Sequence, residues 1–180
     1  SASMSKNGEA DEFSNTTDAI FNIGLSDDVA LRGNIGRADY AGFIDSPRMF
    51  VLDENGVPAY DSDIVNDPAT FIGKDNTNDA ETINGRVALR WAASDETEAN
   101  IGYHFQRDEA GGRRAQTPDL GDYSLGNLIE EPMERDFDLA TLDVESDLGF
   151  ATMTVALSHY ESEGSMTEDA TGPVKTYLAE

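Results

Sequence analysis

The side chains that could do chemistry fall into a few small groups. Asp61, Asp63, Asn66 and Asp67 lie close together, as do Asp75, Asn76, Asn78 and Asp79. Oxygen donors at that density suggest calcium, which takes about six to eight oxygen ligands. The spacing lacks the glycine and closing glutamate of an EF-hand loop. Solvated acidic loops are therefore the preferred reading, and no metal is expected. Arg113 and Arg114 form the one basic doublet, preceded by Gly111 and Gly112. A guanidinium pairs well with a carboxylate, so the doublet is a candidate contact for an anionic ligand, with a plain flexible loop tip as the preferred reading. Tyr123 and Phe71 are candidate aromatic ligand contacts or simple loop anchors.

Catalysis finds less support. Ser158, His159 and Glu161 are neighbours, but strand alternation sends Ser158 and His159 to opposite faces, and a nucleophile must reach its base. Asp143 and Glu145 share a face and read as hydrated charges. Gly33 and Gly36 lie within a strand, where glycine marks close packing or a bend rather than a phosphate loop. His104 and His159 each lack a second ligand at metal-site spacing. No catalytic residue and no cofactor is expected, and the chain is not read as an enzyme.

Composition narrows the classes further. The 180 residues carry a formal net charge of -24, with 36 acidic and 12 basic residues. Nucleic acid is an unlikely partner for such a chain, because phosphate binding needs clustered Lys and Arg. There is no cysteine, which excludes disulfides and thiolate metal sites. Low hydrophobicity with high charge is a signature of disorder. Here, however, the acids concentrate in a few stretches, and regular apolar alternation lies between them. No apolar run reaches the length of about 18 residues that a transmembrane helix needs. The first residues lack a basic-then-apolar leader, so the expectation is a mature product or an internal piece of a longer chain.

The elements that must position these residues are strands. Helical periodicity is poor, and period-2 alternation recurs in six segments that read as three hairpins. The first joins residues 15–25 to 29–40 through Ser26-Asp27-Asp28. Ala19, Phe21, Ile23 and Leu25 share one face there, matched by Val29, Leu31 and Ile35. The second joins 83–92 to 97–107 around Ser94-Asp95. Val87, Leu89 and Trp91 meet Ala99, Ile101, Tyr103 and Phe105, in a register expected to set Leu89 opposite Ala99 and Arg90 opposite Glu98. The third joins 135–146 to 149–161 through a tight Asp147-Leu148 turn, which is expected to set Val144 opposite Ala151 and Leu142 opposite Met153.

The connections alternate. Turns within a pair are short, whereas residues 41–82 and 108–134 form long loops. Loops above about 15 residues are uncommon in compact domains. Short turns alternating with long loops are the pattern of an outer-membrane barrel, with tight periplasmic turns and long extracellular loops. Strand length agrees, since about 9 to 11 tilted residues cross the hydrocarbon layer. Arg32, Arg86, Arg90, Glu98, Asp143 and Glu145 then face a hydrated lumen, and the apolar face meets lipid. Trp91, Tyr40, Phe43, Phe105 and Tyr160 suit interfacial girdles.

The stretches LSDDVALRGNIGRADYAGFID (25–45), GRVALRWAASDETEANIGYHFQR (85–107) and DLATLDVESDLGFATMTVALSHYES (138–162) resemble barrel strands of TonB-dependent receptors. LGDYS at 120–124 is similar to loop text of that family. The resemblance spans most of the chain. It implies an all-β, antiparallel up-and-down transmembrane β-barrel segment of about three hairpins, cut from a barrel of roughly 22 strands with a plug. It also implies a Gram-negative outer membrane, a TonB-type energy transducer as partner, and active uptake of a scarce nutrient such as a ferric siderophore. The chain departs from the whole-receptor pattern. No leader, plug or TonB-contacting segment is recognised, and six strands cannot close a barrel, which needs about eight. The expectation is therefore a fragment bounded by loop residues 1–14 and 162–180. Two rival readings remain: a soluble acidic β-sandwich for binding or adhesion, whose apolar faces would pack on each other, and a passive porin. An isolated wall is expected to aggregate or need detergent.

Overall fold

A computed structural model describes residues 1–59 and 71–170. The first acidic group, Asp61 to Asp67, lies outside the described residues. The chain is almost entirely antiparallel β. Among the described residues nine strands are present: β1 (Ala2–Ser5), β2 (Ser14–Gly24), β3 (Val29–Tyr40), β4 (Ser46–Phe50), β5 (Phe71–Lys74), β6 (Ala80–Ser94), β7 (Thr97–Ala110), β8 (Met133–Asp147) and β9 (Thr152–Met166). A single 3-10 turn covers Pro118–Leu120. Among the described residues no helix is long and apolar enough to cross a membrane.

Seven strands form one sheet in the order β1-β2-β3-β6-β7-β8-β9, and β4 pairs with β5 apart from it. Each neighbour in the large sheet is antiparallel. The six expected strands are all present, but the structure corrects their extent and surroundings. Residues 2–5, expected in a loop, pair with Ser14 to Thr17. The expected loop 41–82 contains β4, β5 and the start of β6, while β7 and β8 encroach on 108–134 from both sides. The extensions of β6 and β7 are polar on both faces, as in Glu81-Thr82 and Asp108-Glu109. A strand polar on both sides has no alternation to betray it.

Two registers also differ. Leu89 pairs with Ile101 rather than Ala99, and Arg90 with Asn100. Arg90 still reaches Glu98 diagonally at 2.5 Å. Val144 pairs with Val155 and Leu142 with Leu157, not with Ala151 and Met153. The reason is a wider turn. Asp147 is opposite Thr152, Leu148 N–H donates to the Ala151 carbonyl at 2.9 Å, and Gly149 takes φ +80. That left-handed conformation suits a residue with no Cβ.

The pairing lines up one apolar face. Ile23, Leu31, Leu89, Ile101, Leu142 and Leu157 run across six strands as successive partners. The next line toward the turns is Val29, Trp91, Ala99, Val144 and Val155. Phe21 lies over Gly33 and Phe105 over Gly85. A Cβ at either glycine would stand 2.4 Å from the ring. These are cross-strand partners, and each ring covers the bare backbone its partner leaves. The face is not covered: Ile23, Ile35, Trp91, Ile101 and Leu157 are all about half exposed. Along β6 it runs from Ile83 to Trp91, roughly 27 Å at about 3.4 Å per residue, but toward the far end its neighbours on the same face are charged: Arg37 and Arg107 flank Ile83, and Asp136, Asp138 and Glu161 follow on β8 and β9.

The opposite face bears Arg32, Asn34, Arg86, Arg90, Asn100, Gln106, Thr141 and Ser158, interleaved with alanine and glycine. Of the expected girdle aromatics, only Trp91 and Phe105 lie on the apolar face. The register puts Tyr40 and Tyr160 on the polar face, and Phe43 leaves the sheet to meet Tyr123 edge-on at 6.1 Å. The turn end is tied from hairpin to hairpin: Ala92 N–H donates to the Asp28 carbonyl and Asp147 N–H to that of Glu96, both at 2.8 Å.

Candidate functional site

The described parts of the long loops are packed, and they form a cap at the end of the sheet away from the tight turns. Its core is small and largely polar. Ile44, Met49 and Leu125 are buried with Ser46, Thr77, Asn78 and Asn127. Backbone bonds knit three segments: Asp45 N–H to the Tyr123 carbonyl, Leu125 N–H to that of Asp45, and Thr77 N–H to that of Ile44, at 2.7 to 2.8 Å. Asn78 Oδ1 accepts the N–H groups of Phe43 and Ile44 at 2.7 and 2.8 Å. Ser46 Oγ donates to Asn127 Oδ1 at 2.7 Å. Gly42, Gly111 and Gly112 pass so close to the backbone of residues 76–77 that a side chain would collide.

Asn76 and Asn78, grouped above as possible calcium ligands, are thus spent on the cap. Asn76 donates to Asp11 at 2.9 Å and Asn78 holds the loop backbone. Among the described residues no set of three or more His, Asp or Glu side chains is arranged to hold a metal ion.

The doublet divides into two roles. Arg113 Nε donates to Glu131 Oε2 at 2.8 Å, and its other nitrogen lies 3.4 Å from Glu168. The Glu131 side chain is 3% exposed, and its second oxygen accepts the Asp169 N–H at 2.9 Å. Arg113 therefore already has a carboxylate partner, while its own side chain stays 45% exposed. Arg114 forms no ion pair among the described residues. Its guanidinium sits over the Tyr40 ring, 5.7 Å from the centroid, a geometry that favours a cation on an aromatic face. Tyr123 takes φ +58, gives its carbonyl to Asp45 and packs on Phe43. Phe71 stacks on Phe50 at 5.1 Å with Arg48 above it. Both aromatics make these contacts within the cap and stay about 40% exposed.

Beneath the doublet lies a feature that the sequence reading did not single out. Tyr40, Ala80, Ala110, Met133 and Met166 are successive cross-strand partners on the polar face. The last four floor a cavity of about 400 Å³, walled by Gly112, Arg114 and their neighbours. Small ligands commonly occupy cavities of about 300 to 1,000 Å³. The signal was present as isolated apolar residues at strand ends, but only the register assembles them.

The remaining candidates do not converge. His159 and Glu161 lie 3.4 Å apart on one face of β9, and alternation places Ser158 on the other. Asp143 and Glu145 border an open acidic hollow at the turn end with Glu98 and Arg90. Comparison with known proteins finds no matching family model, curated protein or solved structure.

Proposed function

We propose that this chain is part of the wall and external vestibule of a TonB-dependent outer-membrane receptor, an active importer of a scarce nutrient such as a ferric siderophore. The observation that carries the reading is the two-faced sheet. Toward the tight turns six strands present one apolar face that nothing in the described chain covers, while the reverse face there is polar and carries Arg32, Arg86 and Arg90. A soluble sandwich would bury that face against a second sheet. A lipid bilayer covers it without one, and a hydrated lumen suits the other side. At a tilt of about 40°, the apolar stretch of β6 itself spans roughly 20 Å against the ~25 Å band of transmembrane barrels, and Arg37 and Arg107 beside Ile83 narrow the band at its far end.

The open edges support the same reading. β9 has β8 on one side and no described strand on the other, and β2 is paired by β1 only over Ser14 to Thr17. Unpaired backbone cannot face hydrocarbon, so a closed wall requires further strands at both edges. In the receptor reading, remaining barrel strands supply them, a plug fills the lumen, and a TonB-type transducer energises the plug. Reading the gene on both sides separates the importers: an upstream plug marks a receptor, and more strands without one mark a passive porin.

Trp91, the one tryptophan, tests the membrane itself. It lies on the apolar face at the turn end, 49% exposed. In vesicles of acyl-brominated lipid its fluorescence is expected to be strongly quenched. A chain that is monodisperse in buffer without detergent, with Trp91 unquenched, would overturn the proposal.

A further inference from the structure

We propose that the ledge under Arg114 is a subsite for an amphipathic monocarboxylate, a molecule with a compact apolar or aromatic body and one carboxylate. The inference deepens the receptor reading by naming the chemistry of its vestibule, and it rests on that reading for its place in the lumen. The apolar half comes from the floor. At this one level the polar face turns apolar across four adjacent strands, through Ala80, Ala110, Met133 and Met166. Met133 is 39% exposed and Met166 67%. Two exposed methionines beside two alanines leave a shallow slot with adaptable walls, because the thioether side chain is unbranched and polarisable. About 400 Å³ has room for two fused rings.

The charged half comes from Arg114. In a chain of net charge -24, five arginines are paired with a carboxylate, Arg37, Arg90, Arg107, Arg113 and Arg135, while among the described residues Arg32, Arg48, Arg86 and Arg114 form no ion pair. Arg114 forms no such pair, yet it is held over Tyr40 at the cavity wall. Its planar fork matches a carboxylate in two parallel hydrogen bonds. Glu131 engages the neighbouring arginine, which leaves Arg114 as the free donor. The surrounding acids, including Glu131 and Glu168 at the same cavity, oppose a second negative charge. The ledge therefore suits a single carboxylate better than a phosphate dianion or a polycarboxylate.

The five methionines supply the test: Met4, Met49, Met133, Met153 and Met166. With methyl-13C-methionine in the full chain, in detergent micelles, 2-naphthoate is titrated against its neutral analogue 2-naphthamide. The carboxylate is expected to shift the Met133 and Met166 methyls. Met49, buried in the cap, and Met153, on the apolar face, are expected to stay in place. The amide is expected to bind at least tenfold more weakly, and Arg114→Gln to weaken the carboxylate at least tenfold while Met49 reports an intact cap. Equal binding of acid and amide, no effect of Arg114→Gln, or movement of Met153 in place of Met133 and Met166 would each overturn the subsite. Failure of the receptor reading is separate, since it appears in Trp91 quenching. A chain that stays soluble in buffer and still moves Met133 and Met166 keeps the ligand site and loses the membrane.

Discussion

The sheet and the cap are held together by different physics. The sheet has backbone ladders and almost no core: of its large apolar side chains, none on the outward face is buried. Its apolar surface is left for an external phase to cover. The cap has a core of its own, but builds it from Ser46, Thr77, Asn78 and Asn127 as much as from Ile44, Met49 and Leu125. Asn78, Thr77 and Asn127 satisfy loop backbone that no ladder reaches, and Ser46 ties Thr77 to Asn127; among the described residues the buried Asn78 amide nitrogen alone is left without a partner. One region depends on what surrounds it, and the other on bonds within it. That division suits a wall in lipid carrying a rigid rim in water.

The largest effect is expected where the two faces of one strand are set against each other. Ile101 lies on the apolar face of β7, and alternation puts Asn100 on the polar face. In lipid vesicles Ile101→Arg is expected to cost about 2–4 kcal/mol, the usual penalty for a cation near the bilayer midplane. Asn100→Arg, beside Glu98 and Asp143, is expected to be close to neutral. Denaturant titration of Trp91 fluorescence measures both. Equal costs would mean that the faces do not meet different solvents, and the wall reading would fall.

A middle-sized effect is expected in the cap. Asn78→Ala removes the acceptor of two backbone N–H groups, and a buried orphaned donor costs about 1–3 kcal/mol. The loss should be confined to the rim. Hydrogen exchange at Phe43 and Ile44 is expected to accelerate, with little change at Leu89 or Ile101. If the sheet amides accelerate equally, cap and wall fold as one unit and the division drawn above is wrong.

How much of this was legible follows from the same contrast. The faces could be read because alternation over Val87, Leu89 and Trp91 or Ala140, Leu142 and Val144 has one simple cause. The registers could not. The second hairpin is offset by two residues from expectation and the third by four. Even offsets leave every side chain on its own face, so the apolar pattern cannot choose between them. Turn geometry decides, and the Leu148–Ala151 bond has no strong signature in sequence. The cap was opaque for another reason. Asn78 and Arg113 were read by what they could offer a ligand, but folding had already used them on Phe43, Ile44 and Glu131. Polar residues in a loop advertise the same chemistry whether it is pointed outward or inward. The floor under Arg114 needed four strands in register before it existed at all.

The smallest effect is expected at the cap's outer turn, and it probes whether local bonds there stand without the wall. The Asp53 carboxylate accepts the N–H groups of Asn55 and Val57 at 2.8 and 2.9 Å. These bonds, Val57 first, hold its carboxyl below the usual carboxylate range. A depressed folded pKa stabilises the turn above the unfolded value of about 3.9, and that contribution is lost as the pH falls through the folded pKa. The Asn55 and Val57 amide proton shifts are therefore expected to hold steady from neutral pH to about 4. Below that they should move together, with a midpoint under the ordinary Asp value. Asp53→Asn keeps an acceptor, removes the charge and should abolish the titration. Trp91 fluorescence should be flat across the same window, because the bonds being broken belong to the rim alone. A matching transition at Trp91 would tie the turn to the wall and undo the separation between the two regions.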